Sequence, residues 1–264
     1  MNYDSVLITG ASSGLGEEFA MQLAPRSRQL VLVARREKML KTIAERIVET
    51  NPHVDVLIEV ADLADAAERD SLMLRIARLG IVPDLLINNA GLGDYGEFIT
   101  ADWSKLEAQI KVNVEALTHL SYRVASGMVE KGRGAILNVS SLASLMPIAD
   151  FAVYAATKAY VTSFSEALRI ELREHGIAVL ALCPGPVHTG FGAVARRGDG
   201  HREIPGREWF YVEKEQVVAE GLEALERGKA RHFPHFKTAA AALVIAAVPM
   251  VLMRLAMSSR PRKQ

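Results

Sequence analysis

The chain has 264 residues, half of them apolar, which is enough to bury the core of one large α/β domain or two small ones, and we expect one. Lys and Arg total 31 and Asp and Glu total 31, so the formal net charge is zero, which argues against a protein that neutralises nucleic-acid phosphates. Cys183 is the only cysteine; this excludes an intrachain disulfide and a multi-cysteine metal site. The beginning, MNYDSVLITG, lacks the basic and long apolar stretches of a secretory signal, so we expect a cytoplasmic protein.

Apolar runs of strand length alternate with segments of helical period, the pattern of a Rossmann-like α/β fold with a doubly wound parallel sheet. The predicted strands cover residues 6–9, 30–34, 54–60, 85–88, 135–139 and 178–183. The predicted helices cover residues 14–23, 38–50, 66–79, 103–129 and 152–174. We predict one domain over residues 1–237, with a lid at about 190–211, followed by a C-terminal helical extension over residues 238–264. Ligands of such sheets bind beyond the carboxyl ends of the strands, so functional motifs should directly follow strands.

A glycine-rich turn, Thr9-Gly10-Ala11-Ser12-Ser13-Gly14-Leu15-Gly16, links the first predicted strand to the first helix. Glycines permit a tight turn and let a pyrophosphate approach the free amides at a helix N-terminus. The spacing differs from the common dinucleotide motif, and an ordinary strand-to-helix turn is the alternative. Its position after the first strand favours phosphate binding.

Arg35 and Arg36 follow the second predicted strand, where a dinucleotide fold meets the adenosine ribose. An acidic residue there would bind the 2′-hydroxyl of NAD, whereas an arginine pairs with the 2′-phosphate of NADP. No acidic residue is present, so NADP is favoured over NAD. The alternative is that both arginines are simply solvated.

Tyr154 and Lys158 stand four residues apart in a predicted helix and therefore share one face. An ammonium group beside a phenol lowers the phenol pKa and makes the hydroxyl a usable acid or base. Ser141 ends the fifth predicted strand, thirteen residues before Tyr154, so it should meet both side chains at the carboxyl edge of the sheet.

At these positions the chain resembles the short-chain dehydrogenase/reductase family, in its single-domain, Tyr-x-x-x-Lys branch. The resemblance extends over nearly the whole chain. It rests on the glycine turn, Asp62, Asn88-Asn89-Ala90-Gly91, Asn113, Ser141, Tyr154, Lys158, Pro184-Gly185 and Thr189.

The resemblance implies a catalytic tetrad and a set of cofactor-binding residues, with no metal. Tyr154 would be the general acid or base, and Ser141 would orient and polarise the carbonyl group. Lys158 would lower the Tyr154 pKa and hold the nicotinamide ribose, while Asn113 would hold a water that links Lys158 to solvent. Arg35 would select the 2′-phosphate. The implied cofactor-binding residues are Gly10, Ser12, Ser13, Gly14, Leu15, Gly16, Arg35, Asp62, Leu63, Asn89, Ala90, Gly91, Tyr154, Lys158, Val187 and Thr189.

We therefore expect an NADP-dependent oxidoreductase that interconverts a carbonyl and a secondary alcohol on a hydrophobic small molecule such as a ketone, aldehyde, 3-oxoacyl compound or steroid-like compound. The alternative is a non-catalytic dinucleotide-binding redox sensor or scaffold. The resemblance also implies a homodimer or homotetramer assembled through residues 103–129 and 152–174. Apolar residues expected at the substrate are Leu92, Leu142, Leu145, Met146, Phe151 and Pro186.

The lid contains several arginines that would meet an acidic substrate, unless they are solvated beside the interspersed acids. These arginines are Arg196, Arg197, Arg202 and Arg207, and the acids are Asp199, Glu203 and Glu208. We assign no role to His188, which lies next to the implied nicotinamide-binding residues.

The C-terminal extension contains an uncharged run over residues 238–253 that includes Pro249. A bilayer span needs about 20 apolar residues, so this run is too short to cross a membrane. The last eleven residues carry a charge of +4, from Arg254, Arg260, Arg262 and Lys263, which leaves −4 for the rest of the chain. Two hypotheses remain: the extension packs over the cleft or a subunit interface, which we favour, or it gives weak, peripheral membrane association.

Overall fold

Seven parallel strands form one sheet in this computed structural model, which describes residues 2–197 and 208–258. The strands are β1 (Tyr3–Thr9), β2 (Ser27–Ala34), β3 (Asp55–Val60), β4 (Leu85–Asn88), β5 (Gly134–Val139), β6 (Ile177–Leu182) and β7 (Arg231–His232). Their spatial order is β3-β2-β1-β4-β5-β6-β7, so the winding direction reverses between β1 and β4. Such a reversal opens a crevice at the carboxyl ends of the two strands.

Helices cover both faces of the sheet, which confirms the predicted Rossmann-like, doubly wound α/β fold. The helices are α1 (Gly14–Leu23), α2 (Glu37–Thr50), α3 (Ala66–Arg78), α4 (Trp103–Ile110), α5 (Leu117–Lys131), α6 (Ala152–Leu172), α7 (Phe191–Ala195), α8 (Lys214–Glu226), α9 (Phe236–Ala247) and α10 (Met250–Ser258).

Two apolar layers form the core because successive side chains of a strand point to opposite faces of the sheet. In β1, Val6 and Ile8 pack with α1, α2 and α8, whereas Leu7 packs with α3 and α5. The inner strands are buried on both faces and consequently contain continuous apolar runs, which is why the sequence reveals them.

Three elements differ from the predictions. The helix α8 (Lys214–Glu226) was not predicted, although Val217, Val218, Leu222 and Leu225 on it are buried in the core. The strand β7 was missed because it has only two residues, Arg231 and His232, and neither is apolar. The predicted helix over residues 103–129 is divided into α4 and α5 by a π-helical stretch, Lys111–Ala116. The π-helical stretch is only six residues long and helical turns continue on both sides of it, so the apolar pattern could not reveal the interruption.

A buried polar network joins the two central strands to the helices above them. The Asn88 amide donates hydrogen bonds to Asn138 Oδ1 at 2.8 Å and to Ser121 Oγ at 3.0 Å, and the Asn138 amide donates to Ser165 Oγ at 2.9 Å. Buried polar groups are costly unless they are paired, so these bonds fix α5 and α6 over β4 and β5.

The helix α9 packs one face against the body of the protein. Thr238 and Ala242 are buried, and α9 contacts the 3₁₀ turn Leu142–Leu145 that follows Ser141.

No helix within residues 2–197 and 208–258 is long and apolar enough to cross a membrane.

Candidate active site

A cleft of about 1820 Å³ runs along the carboxyl edge of the sheet. Every predicted cofactor-binding residue except Gly16 lines it, and so do Ser141, Tyr154 and Lys158. Asn113 is buried behind the cleft. The structure therefore brings the predicted site residues to one place from segments far apart in the sequence.

The glycine turn requires glycine on steric grounds. Gly10 and Gly14 have φ values of +65° and +60°, in the left-handed region that glycine favours. A Cβ at Gly10 would lie 2.9 Å from the Cα of Ala90, and a Cβ at Gly16 would lie 2.2 Å from the Gly10 carbonyl oxygen. Without side chains at these positions, the backbone amides at the start of α1 are accessible, as the binding of a dinucleotide pyrophosphate requires.

Hydrogen bonds fasten the turn to the segment after β4. The Thr9 hydroxyl accepts hydrogen bonds from the amides of Asn89 and Ala90, both at 3.0 Å. The Asn89 side chain donates to the Thr9 carbonyl oxygen at 2.9 Å. Asn89 consequently holds the shape of the glycine turn, in addition to lining the cleft as predicted.

The two arginines after β2 have different surroundings. The Arg36 guanidinium donates hydrogen bonds to Ser12 Oγ at 2.9 Å and to Ser13 Oγ at 2.7 Å, so it braces the glycine turn. The Arg35 side chain is 62% exposed, and its Nη1 atom lies 3.9 Å from Asp62 Oδ2. The bracing role of Arg36 was missed because nothing in the sequence distinguishes it from its neighbour.

Lys158 and Tyr154 lie at the inner end of the cleft. Lys158 Nζ donates a hydrogen bond to the Val139 carbonyl oxygen at 2.8 Å and lies 5.7 Å from the centroid of the Tyr154 ring. Ser141 Oγ accepts a hydrogen bond from the Ala143 amide at 3.1 Å.

Asn113 is held by its side-chain amide. Its Oδ1 atom accepts from the Leu92 amide at 2.8 Å, and its Nδ2 atom donates to the Leu92 carbonyl oxygen at 2.9 Å and to Thr157 Oγ1 at 3.0 Å. These hydrogen bonds use both polar atoms of the side-chain amide. Asn113 therefore joins the loop after β4, through Leu92, to α6, through Thr157, which precedes Lys158. The predicted water at this residue stays a prediction.

Burial dominates the ionisation of the tyrosine and the lysine. Burial raises the pKa of Tyr154 to about 12, although a hydrogen bond with Ser141 lowers it in part. Burial lowers the pKa of Lys158 to about 8. The pKa of the tyrosine is shifted in the direction opposite to the predicted one, because burial disfavours the charged phenolate.

Two aromatic rings contact the Tyr154 ring, and a third packs behind one of them. The Phe151 ring stacks on Tyr154 with centroids 4.2 Å apart, and the Phe191 ring lies 5.5 Å away. The Tyr95 ring packs edge-on against Phe151 at 5.6 Å. Sequence analysis predicted Phe151 here but missed Tyr95, which lies in a loop, and Phe191, which begins the five-residue helix α7; neither segment is long enough to show a periodic pattern.

Other predicted substrate neighbours mostly line the cleft. Leu92, Leu142, Met146 and Pro186 do so, whereas the structure does not place Leu145 in the lining. The walls around the tyrosine hydroxyl are thus largely apolar.

The described part of the predicted lid is fastened to the loop after β4. The Arg197 guanidinium is ion-paired with Asp94 and donates to the Glu97 carbonyl oxygen at 2.7 Å. Arg197 is therefore not a free cation for an acidic substrate, whereas Arg196 lines the cleft. Asp199, Arg202, Glu203 and Arg207 lie outside the described residues.

Glycines after β4 make room for the lid. A Cβ at Gly93 would lie 2.8 Å from the Phe191 Cζ atom, and one at Gly96 would lie 2.8 Å from the Arg197 Nη1 atom.

In the ranges that the structure describes, His, Cys, Asp and Glu side chains form no cluster of three that could hold a metal ion.

Comparisons with known proteins agree with this geometry. Residues 4–199 match the model of the short chain dehydrogenase family. An uncharacterized oxidoreductase of Myxococcus xanthus is 34% identical over 192 residues, which cover 72% of this chain and 74% of that protein. A short-chain dehydrogenase from Sphingobium yanoikuyae in complex with NADPH has a similar structure, with a TM-score of 0.81, 32% identity and coverage of 99% and 97% of the two chains. The bulky-bulky ketone specific alcohol dehydrogenase from Comamonas testosteroni gives a TM-score of 0.78 at 27% identity, with coverage of 100% and 96%.

Proposed function

The chain belongs to the short-chain dehydrogenase family of oxidoreductases, and from that premise we propose that it interconverts a carbonyl and a secondary alcohol with NADP as its cofactor. One observation carries the proposal: Ser141, Tyr154 and Lys158 converge at the apolar end of a cleft whose other end is the glycine turn. A protein that only bound a dinucleotide would not need this polar group beside the substrate space.

The hydroxyl groups of Tyr154 and Ser141 are suited to the reduction of a carbonyl group. Hydride addition to a carbonyl carbon develops negative charge on the oxygen, and donors aimed at that atom stabilise the transition state. A phenol with a pKa of about 12 retains its proton at neutral pH, so Tyr154 Oη can transfer it to the forming alkoxide. The Ser141 hydroxyl, oriented by the Ala143 amide, donates a second hydrogen bond to the same oxygen. In oxidation the tyrosinate accepts the proton back.

The cleft has the residues that a nicotinamide dinucleotide requires. The glycine turn and the start of α1 would hold the pyrophosphate, and Asp62 and Leu63 would flank the adenine. Gly91, Lys158, Val187 and Thr189 would surround the nicotinamide riboside. When bound, the reduced nicotinamide supplies the hydride.

The preference for NADP rests on Arg35. Its exposed guanidinium lies at the end of β2 beside the Arg36 side chain that braces the glycine turn. An arginine at this place can bind a 2′-phosphate through two parallel hydrogen bonds. The NADPH complex of the Sphingobium enzyme, which has the same fold, supports this assignment.

The apolar walls favour a hydrophobic ketone or its alcohol. The rings of Phe151 and Phe191 contact the tyrosine, Tyr95 packs behind Phe151, and Met146 and Pro186 extend the apolar lining. The bulky-bulky ketone specific enzyme of similar structure supports the same substrate class. The predicted homodimer or homotetramer and the cytoplasmic location stay predictions.

The test is NADPH oxidation with a panel of ketones, aldehydes and 3-oxoacyl thioesters, run with wild type and the Tyr154→Phe variant. Loss of the phenolic proton should lower turnover by about 10²- to 10⁴-fold while NADPH binding is retained. Tyr160→Phe is the control, since this tyrosine is on the same helix and its hydroxyl contacts Thr118. NADPH binding without turnover of any substrate would favour the redox sensor or scaffold instead.

A further inference from the structure

The two consecutive C-terminal helices both expose apolar side chains, which together we call the C-terminal surface. On α9, Leu243 is 73% exposed, and Phe236 and Val244 are exposed as well. On α10 the members are Val251, Leu252 and Leu255. Exposed apolar side chains in such a group mark a surface that binds a partner.

The orientation of this surface is fixed by the opposite face of α9. Thr238 and Ala242, one turn apart, are buried against the body of the protein, and Thr238 lies beside Gly185. Leu243 and Val244 therefore point outward because α9 cannot rotate without exposing its packed face. The helix α9 thus packs one side against Gly185 and the turn Leu142–Leu145, and presents a second, apolar side to its surroundings.

The charged side chains at the C-terminal end of the chain are all basic. After Glu226 the chain contains no Asp or Glu, and residues 237–264 contain five Lys and Arg side chains. The preceding 236 residues contain 26 basic and 31 acidic side chains, a net charge of −5. The positive charge is thus concentrated on the same segment as the exposed apolar side chains.

From these observations we propose that the C-terminal surface binds an anionic lipid bilayer, with α9 and α10 lying along the membrane plane. Leucine and valine side chains enter the acyl boundary while basic side chains meet the headgroups. Exposed Trp209 and Phe236 fit the headgroup level, where aromatic side chains are enriched. Neither helix can span the bilayer, so the surface lies on it.

A second copy of the chain fits this surface less well. A two-fold contact between two such surfaces would bring two segments of the same positive sign together, which opposes association. An anionic bilayer complements both the charge and the apolar character. We therefore treat self-association as the competing outcome.

The surface borders the mouth of the cleft. Lys237 Nζ donates a hydrogen bond to the Trp209 carbonyl oxygen at 2.7 Å, and the neighbouring Phe210 and Tyr211 line the cleft. Docking would thus hold the cleft mouth at the lipid surface.

The test is co-sedimentation of the full chain with vesicles of phosphatidylglycerol and phosphatidylcholine, compared with phosphatidylcholine alone. We expect binding to the anionic vesicles and its loss in about 1 M salt, where the screening length is about 3 Å. The Leu243→Gln/Leu252→Gln/Leu255→Gln variant should bind at least tenfold more weakly, since it removes apolar side chains that enter the bilayer. Arg254→Gln should bind about fivefold more weakly, the effect of one basic residue near an anionic surface.

The matched control is Leu74→Gln/Leu79→Gln, which removes two exposed leucines, one in α3 and one directly after it, and should leave vesicle binding unchanged. Light scattering reports the mass of each variant. Failure to bind anionic vesicles would overturn the proposal, whether or not the protein self-associates. A mass that falls in the triple variant, with no difference between the two vesicle types, would likewise overturn it and assign the surface to a second copy. Because these readouts need no substrate, they are independent of the proposed reaction.

Discussion

The Phe151 ring stacks on the Tyr154 ring with an angle of 16° between their planes. Phe151 is the residue before α6, and its carbonyl oxygen accepts the amide hydrogen bond of Ala155. Phe151, at the start of α6, therefore packs against Tyr154 in the first turn of the same helix. Apolar contacts, more than polar partners, fix the ring and remove it from water, and the same burial raises its pKa to about 12.

Phe151→Leu should lower kcat/KM for ketone reduction about tenfold, because the stacked contact that orients the phenol is lost. Steady-state kinetics with NADPH checks this expectation. The control is Phe164→Leu on the same helix, where Phe164 stacks on Tyr160 instead, with 9° between the rings. If the two variants had equal activity, the stack would have no part in orienting Tyr154.

Arg35→Ala should weaken NADPH binding by about ten- to a hundredfold and leave NADH binding nearly unchanged, because only NADPH carries the 2′-phosphate. Fluorescence titration with both nucleotides measures the ratio. Arg36→Ala should weaken both nucleotides similarly, because Arg36 braces Ser12 and Ser13 of the shared glycine turn. An unchanged preference in Arg35→Ala would remove the basis for assigning NADP.

Arg197→Leu should lower the free energy of unfolding by about 3 kcal/mol, because it leaves the buried Asp94 carboxylate without its ion-pair partner. The Asp94→Leu/Arg197→Leu double variant should lose less than the sum of the two single variants, since neither charge is then left buried alone. Urea unfolding of the four proteins completes the cycle. Additive losses would show that the two side chains act independently.

The sequence predicts those parts of this molecule that depend on periodicity and on motif order. The inner strands contain continuous apolar runs because both of their faces are buried, and the glycine turn can be read because its tight backbone requires glycine. Helical spacing puts Tyr154 and Lys158 on one face and the end of a strand puts Ser141 at the same sheet edge, whereas the role of Asn113 was implied only by the family resemblance. By contrast, the short helix α7 brings Phe191 to Tyr154, the loop after β4 brings Tyr95 to Phe151, and the contact of Arg197 with Asp94 spans about a hundred residues. Such contacts depend on how loops meet, which local sequence patterns do not encode.

The burial of Lys158 makes stability depend on pH. Its pKa is about 8 in the folded protein, compared with an ordinary value of 10.5. Between these values the unfolded chain binds a proton that the folded protein does not, so this lysine makes the free energy of unfolding rise as pH increases. Below pH 8 the folded protein contains a buried ammonium group, which costs up to about 3 kcal/mol.

Lys158→Met removes that cost. We expect the variant to gain stability relative to wild type below pH 8 and the gain to shrink as pH rises from about 8 toward 10.5. Urea unfolding without nucleotide, at a series of pH values, measures this difference, and the titration of Tyr154 cancels because both proteins retain that residue. A difference that did not change with pH would mean that Lys158 keeps its ordinary pKa when it is folded, and that its ammonium group is solvated within the cleft.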